Sequence, residues 1–415
     1  MPAHISHSIL TEDLLVNHLS LFSGKELHGD SERSSALVNG AQGPDIFYHN
    51  QRTMPSGLLI GSLLHRRGYG SVSAAMLEYL LLEECSPLSP EAIYLYGFIS
   101  HGVMDRIMHP YINYFSGWIN DDDNSRMYRD CHPFFERIID TALAVSVPSS
   151  YGADDMMWSI RGNRPRHYSG NMFSAMFDRG ETMHPGIHRM LSHGLRSVFS
   201  RLRNDGKLET RIQNAYADSR GFYRFCEEAK ATPEASAPQA SVPQTSVPET
   251  SGTEPGGTVS LSKRGSADAP AEGKHGWEDP GASRRWKALS HPDRLPDGPD
   301  YANLNRSTWY DPCDGEKPRR EGLGELYARS LREAAGVLGP IISILQGADP
   351  PDHYPGVPDS VGDHGLRSSL SGETPCTMVH MDPLPLYKML EPGEDLPGSP
   401  EDVETLFAPL RKRIR

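Results

Sequence analysis

An apolar helical segment in the first third of the chain carries three polar residues at regular spacing. Residues 93–115 read IYLYGFISHGVMDRIMHPYINYF, and His101, Asp105 and His109 recur there every four residues. Residues four apart lie on one stripe of a helix, so the three side chains share a face. Burying each of them without a partner would cost about 1–3 kcal/mol. The segment therefore needs a partner for these groups, and a metal ion is one candidate.

Most of the remaining ordered sequence also favours helices. Ser89, Pro90 and Glu91 form a typical helix start, and Pro110 is expected to disturb the helix that follows. Apolar residues recur at helical spacing in several further segments, whereas the alternation typical of strands is scarce. The sequence therefore predicts an all-α fold, with helices over 58–64, 71–81, 90–109, 133–147, 186–202 and 324–345.

Composition divides the chain into four segments. The stretch 230–274 is dominated by Pro, Ala, Ser, Thr, Glu and Gly and contains the near-repeat ASAPQ-ASVPQ-TSVPE, so it is predicted to be a disordered linker or insertion. The predicted domain organisation is a helical domain over 1–229, this insertion, a helical segment over 275–346 that completes the same domain, and an irregular C-terminal tail over 347–415.

Charge, cysteine content and hydropathy limit the classes of function. A net charge of −13 argues against non-specific binding to the nucleic-acid backbone. The first 18 residues lack a signal peptide's basic and apolar regions, and the longest apolar run, 334–345, is too short to span a membrane. We therefore expect a cytoplasmic protein without a transmembrane segment. Five scattered cysteines without CxxC spacing fit reduced thiols, namely Cys85, Cys131, Cys226, Cys313 and Cys376.

A second polar pair at helical spacing follows the first stripe. His132 and Glu136 form an H-x3-E pair at the start of the next predicted helix, Asp45 lies in GAQGPDIFYHN, and His65 ends an apolar stretch. Imidazole and carboxylate four residues apart on one helix face are spaced to share one Zn²⁺. Nitrogen and oxygen ligands without cysteine favour a catalytic over a structural zinc site.

Taken together, these motifs resemble the zinc-dependent phospholipase C family over roughly residues 1–220. They are GPDIFYHN, G-x3-H at 61–65, YLYGFISHGVMDRIMHPYI and HPFFERIID, and the resemblance resumes at 303–313 and 326–331. It implies a multi-helix bundle with two or three zinc ions in a cleft. One ion would be held by His109, His132 and Glu136. A second would be held by His65 and His101, completed by Asp45 or Asp105.

Two departures from the family pattern affect the expected site. Secreted members begin with a Trp whose amine binds the third zinc, whereas this sequence begins with Met-Pro. The imidazole for that ion would come from His7 or, as the less favoured candidate, His4, so we expect either two ions or three with altered ligation. His109 also follows Asp105 more closely than in secreted members, which implies a local difference in geometry.

The activity that the resemblance implies is hydrolysis of a phosphodiester by metal-activated water, with Asp45 orienting or deprotonating that water. Phospholipid is the candidate substrate, while the acidic charge disfavours nucleic acid. Phe47, Tyr48 and Tyr111 are weak candidates for an apolar substrate contact, although ordinary helix packing explains them better. Two alternatives stay open: an activity like that of the single-strand-specific zinc nucleases, which share this helical fold, and a non-catalytic metal-stabilised scaffold. The oligomeric state stays open as well.

Overall fold

Helices dominate the architecture, which we describe from a computed structural model. It describes residues 4–118, 123–147, 158–159, 164–165, 182–231, 280–289, 292, 295–349, 356–366, 376, 380–391 and 409–410. The prediction of an all-α, multi-helix fold is confirmed. The predicted insertion 230–274 lies outside the described residues from residue 232 onward.

Seven α-helices of the described residues precede residue 147, and those that carry candidate ligands are among them. They are α1 (His4–Asp13), α2 (Gly24–His28), α3 (Ser31–Ala41), α4 (Leu58–Arg66), α5 (Tyr69–Leu82), α6 (Pro90–Ser116) and α7 (Cys131–Ser146). A π-helical turn, Leu14–His18, continues α1, and 3₁₀ segments cover Gly43–His49 and Asp123–Tyr128.

The later elements are mostly helical too. They are α8 (Pro185–Val198), α9 (Ser200–Arg203), α10 (Leu208–Ala231), α11 (Pro280–Leu289), α12 (Leu323–Leu345), α13 (Val357–Val361) and α14 (Leu386–Met389). Two short antiparallel pairs accompany them: β1 (Trp158–Ser159) with β2 (Arg164–Pro165), and β3 (Trp309–Asp311) with β4 (Asp314–Arg319).

Helix α6 runs through the core and carries the predicted polar stripe. Its start is as predicted: the Ser89 side chain accepts a hydrogen bond from the Ala92 N–H, and Pro90 occupies the first turn. The expected disturbance at Pro110 does not end the helix, which continues to Ser116. Proline removes one helical hydrogen bond, but the following turns are held by burial, since Tyr111 packs edge-on against Trp309 with ring centroids 5.4 Å apart.

Helices α3 and α6 meet backbone to backbone through two glycines. A Cβ added to Gly97 would lie 2.6 Å from the Ala41 amide nitrogen and 2.7 Å from the Gly40 carbonyl carbon. A Cβ added to Gly40 would clash with the Tyr94 carbonyl oxygen. Only glycine permits such an approach. Because His101 follows Gly97 by one turn, this contact sets its position against the end of α3.

Segments that follow residue 280 pack on the same core. The Tyr111 hydroxyl donates a hydrogen bond to the Tyr301 carbonyl at 2.9 Å, and the Tyr327 hydroxyl donates one to the Asp13 carboxylate at 3.1 Å. In the predicted tail, the Leu366 N–H donates to the carbonyl of His65 at 2.9 Å. Described parts of 347–415 therefore contribute directly to the packing around the predicted ligands.

The expectation of five reduced cysteines is wrong for two of them. Cys313 and Cys376 form a disulfide between residues 63 apart in the sequence. The pairing follows from tertiary packing of the β3–β4 hairpin and the tail, which no local cysteine spacing reveals. Cys85 and Cys131 are free, and the side chain of Cys226 lies outside the described residues. Within the described ranges, none of the helices combines the length and apolarity needed to cross a membrane.

The α3–α6 contact generates a stability prediction. Gly97→Ala forces a methyl group into the backbone of α3, so we expect the free energy of unfolding to fall by about 1–3 kcal/mol in urea titrations. The matched control is Gly336→Ala on α12, where a Cβ meets nothing within 4 Å; it should leave stability unchanged or raise it by up to about 1 kcal/mol. Equal effects of the two substitutions would contradict the close contact.

Candidate metal centre

The eight predicted ligands come together in the interior. None of their residues is more than 5% exposed: His7, Asp45, His65, His101, Asp105, His109, His132 and Glu136. They form three groups, and within each group the candidate ligand atoms all lie within 4.8 Å of one another. These buried groups can hold metal ions. The side chain of His4, the less favoured alternative to His7, lies outside the described residues.

The first group joins three different elements around Asp45. This residue lies in the 3₁₀ segment Gly43–His49, His65 lies near the end of α4, and His101 lies in the middle of α6. One carboxylate oxygen of Asp45 is 3.0 Å from His65 Nε2, and the other is 3.4 Å from His101 Nε2. Because the Asp45 carboxylate faces both rings, the three side chains converge on one point.

The second group joins α1 to α6 through Asp105. His7 Nε2 lies 3.2 Å from Asp105 Oδ1, and His101 Nε2 lies 3.2 Å from Asp105 Oδ2. The rings of His7 and His101 stack with centroids 4.1 Å apart. Since His101 presents the same Nε2 atom to both groups, it can bind an ion in only one of them. This shared ligand is compatible with either two or three ions in total.

The third group joins α6 to α7. Both His109 Nε2 and His132 Nε2 face the same carboxylate oxygen of Glu136, at 3.5 Å and 3.1 Å. The two rings are nearly parallel, with centroids 5.5 Å apart. His109 therefore meets the H-x3-E pair despite the short gap after Asp105. Its Nδ1 also lies 3.5 Å from Asp105 Oδ1, which links this group to the second one.

Backbone carbonyls orient three of the imidazoles toward the carboxylates. The Nδ1 atoms of His65, His101 and His109 lie 2.8, 2.9 and 3.0 Å from the carbonyl oxygens of Gly61, Ala41 and Asp105. A proton on each Nδ1 satisfies these contacts and leaves Nε2 for a cation. A neutral Nε2 carries a lone pair, so facing it toward a carboxylate requires a proton or a metal ion between them.

The carboxylates of the cluster favour positive charge beside them, either a proton on an imidazole or a cation. Burial opposes charge on His101, but Asp105 and Asp45 outweigh it and raise its pKa to about 9. Burial likewise opposes charge on Asp105, yet His109 and His101 hold the pKa of that carboxyl well below its usual range. Asp45 Oδ2, His101 Nε2, Asp105 Oδ2 and Glu136 Oε2 are buried without a hydrogen-bond partner among the described residues. This set of nitrogen and oxygen donors fits Zn²⁺.

The loop before Asp45 holds the His101 ring, a support that the sequence analysis missed. Gly43 has a φ of +53°, and a Cβ there would lie 2.6 Å from both Cγ and Cδ2 of His101. Together with the Ala41 carbonyl, this glycine packs against the imidazole from the α3 side. The only sequence signal was the second glycine of GAQGPD, which is also a common turn residue.

The three aromatic candidates differ in position. Phe47 and Tyr111 are fully buried, and core packing accounts for both. Tyr48 is partly exposed, and its ring centroid lies 4.8 Å from that of His65. Tyr48 is therefore the one of the three that combines exposure with a position beside the cluster.

Comparison of the chain with family models, curated proteins and solved structures found no match. The metal centre is accordingly inferred from the geometry of its own residues.

Metal removal gives the test of this centre. If the clustered groups bind ions, a strong chelator should lower the melting temperature by roughly 5–10 °C, because ions bound to the folded state stabilise it. His109→Gln should show a smaller shift than the unmodified protein. The matched control, the half-buried His193 beside Glu78, should keep the full shift when changed to Ala. A melting temperature that stays the same when the chelator is added would contradict the metal centre.

Proposed function

We propose that the chain is a zinc-dependent phosphodiester hydrolase of the phospholipase C type. The observation that carries the proposal is that the three groups adjoin one another, since His101 belongs to two of them and Asp105 lies 3.5 Å from the His109 ring of the third. Ions held in adjoining groups would repel each other, so placing them together costs stability. Paired and clustered ions of this kind are typical of enzymes that cleave phosphate esters.

The ligand types favour zinc in a catalytic role. Structural zinc sites are usually closed and hold one ion with four ligands, often cysteines. Here no cysteine belongs to the three groups, and each group offers at most three donors, or two where His101 binds the neighbouring ion. Three protein ligands leave a coordination position for water or substrate, as in catalytic sites.

The proposed chemistry assigns Asp45 to the water. When bound, zinc ions neutralise the phosphodiester charge and lower the pKa of a bound water. The imidazoles of His65 and His101 flank the Asp45 carboxylate and fix its direction. Oδ2 of Asp45, which has no hydrogen-bond partner among the described residues, is the atom that would orient the water and receive its proton.

Phospholipid is the substrate class that we favour. The net charge of −13 disfavours a polyanionic nucleic acid, whose binding depends on basic surface. Tyr48, partly exposed beside His65, is the residue that would contact an apolar part of the substrate. A cytoplasmic location stays part of the proposal, although the Cys313–Cys376 disulfide is more typical of oxidising compartments and weighs against it.

A metal-stabilised scaffold without catalysis is the second candidate. The near-complete burial of all eight ligands favours it, because a substrate must reach at least one ion in an enzyme. A scaffold would keep the metal-dependent stability and show no hydrolysis.

Substitution of Asp45 tests catalysis directly. The unmodified protein should hydrolyse a chromogenic phosphocholine ester in the presence of zinc. Asp45→Asn should lower kcat by about 10²–10⁴-fold, because the amide cannot accept the proton of the water. The matched control is Asp359→Asn on α13, an exposed carboxylate that should leave kcat unchanged.

The outcomes separate the candidate functions. If the Asp45→Asn variant hydrolysed the ester as fast as the unmodified protein, the role assigned to Asp45 would be contradicted. Inactivity of the unmodified protein on choline, ethanolamine and inositol esters would favour the scaffold. Activity confined to single-stranded DNA or RNA would favour a nuclease instead.

A further inference from the structure

The polar stripe on α7 continues one turn beyond the metal ligands. His132 and Glu136 are followed, again after four residues, by Asp140, whose side chain is fully buried. The H-x3-E pair is thus part of a longer H-x3-E-x3-D spacing that is visible in the sequence. Asp140 belongs to none of the three candidate metal groups. Its role must therefore come from other contacts.

Asp140 binds the first turn of α1. Both the N–H and the hydroxyl of Ser6 donate to Asp140 Oδ1, at 2.7 Å and 2.6 Å. Ser6 lies near the start of a helix that begins at His4, where backbone N–H groups have no partner within the helix. The carboxylate also complements the positive end of the α1 dipole. Asp140 thus caps α1 from a neighbouring helix.

Within α7, a guanidinium lies beside the Asp140 carboxylate. Its second oxygen lies 3.5 Å from the Nη1 atom of Arg137, and both residues are buried, with Arg137 only 2% exposed. A buried carboxylate with a nearby guanidinium and two short hydrogen bonds is held in one orientation. The capped start of α1 is consequently fixed relative to α7.

The residue after Ser6 is the predicted ligand His7. Its Nε2 atom lies 3.2 Å from Asp105 Oδ1 on α6. Metal–ligand distances tolerate only about 0.2 Å of variation, so a small shift of α1 would move the imidazole out of range. The hydrogen bonds between Ser6 and Asp140 therefore fix the position of His7, and with it the geometry of the ion that His7 and Asp105 would hold.

We propose that Asp140 is a positioning residue for this His7–Asp105 ion. The proposal rests on the metal centre of the proposed function and goes beyond it by coupling two of its groups. Helix α7 provides the ligands His132 and Glu136 to one ion and, through Asp140, aligns the helix that provides His7 to another. Occupancy of the His7 group then depends on a residue that touches no metal.

Zinc titration of purified full-length variants tests the coupling. Competition with a chromophoric chelator reports the number of ions and the affinity of each. Asp140→Leu removes both hydrogen bonds to Ser6, so the affinity of one ion should fall by about 10–100-fold. His7→Ala should lose that same ion. Asp140→Asn retains an acceptor oxygen and should restore most of the affinity.

A control and a second variant separate positioning from general stability. Thr141→Val alters a buried α7 residue whose hydroxyl donates to the Arg137 carbonyl; it should bind every ion as tightly as the unmodified protein. Ser6→Ala removes only the hydroxyl donor and should weaken the same ion by a smaller factor. If Asp140→Leu does not fold, Ser6→Ala becomes the test variant. Unchanged zinc affinity in Ser6→Ala would then overturn the proposal.

The remaining outcomes distinguish this inference from the proposed function. Unchanged zinc affinities in folded Asp140→Leu would overturn the positioning role and leave the hydrolase proposal intact. The positioning role would also be overturned, with the hydrolase proposal intact, if His7→Ala kept every ion of the unmodified protein or if Asp140→Leu weakened the binding of all ions equally. An unmodified protein that binds no zinc would overturn both proposals.

Discussion

The Asp105 carboxylate lies between three imidazoles in the interior of the bundle, and this arrangement requires added positive charge. His7 and His101 present Nε2 to it, while His109 approaches with Nδ1. Burying a carboxylate costs several kcal/mol unless opposite charge compensates it. Protonated histidines would compensate it in part, and metal ions would also satisfy the buried oxygens that lack hydrogen-bond partners. The same pairing of carboxylate and imidazole recurs at Asp45 with His65 and at Glu136 with His132.

The surrounding backbone is arranged to hold these rings in place. Gly40 and Gly97 allow α3 and α6 to touch, and Gly43 leaves room for the His101 ring. The carbonyl of Ala41 then orients that ring from its Nδ1 side. Packing that brings two helix backbones together thereby turns one imidazole toward two carboxylates. Placing α1 requires a further contact, which Ser6 and Asp140 supply.

Regular spacing predicted only part of the candidate site, the stripe on α6 and the pair on α7, whereas the roles of Asp45, His65 and His7 were implied by the family resemblance. A four-residue repeat in an apolar segment specifies one helix face, which is why His101, Asp105 and His109 were found before their surroundings were known. Long-range features gave no such signal. The Cys313–Cys376 disulfide and the support from Gly43 depend on tertiary contacts. Pro110 was expected to disturb α6, yet the helix continues past it, because buried aromatic packing outweighs the local preference of proline to end a helix.

Anomalous X-ray diffraction at the zinc edge, on crystals of protein purified without chelator, tests the metal centre most directly. We expect two or three anomalous peaks inside the cluster, one of them about 2.0–2.1 Å from an Nε2 atom of His109 or His132 and another at that distance from His65. A cluster without peaks, in which the imidazoles donate hydrogen bonds straight to Asp45, Asp105 and Glu136, would contradict the account.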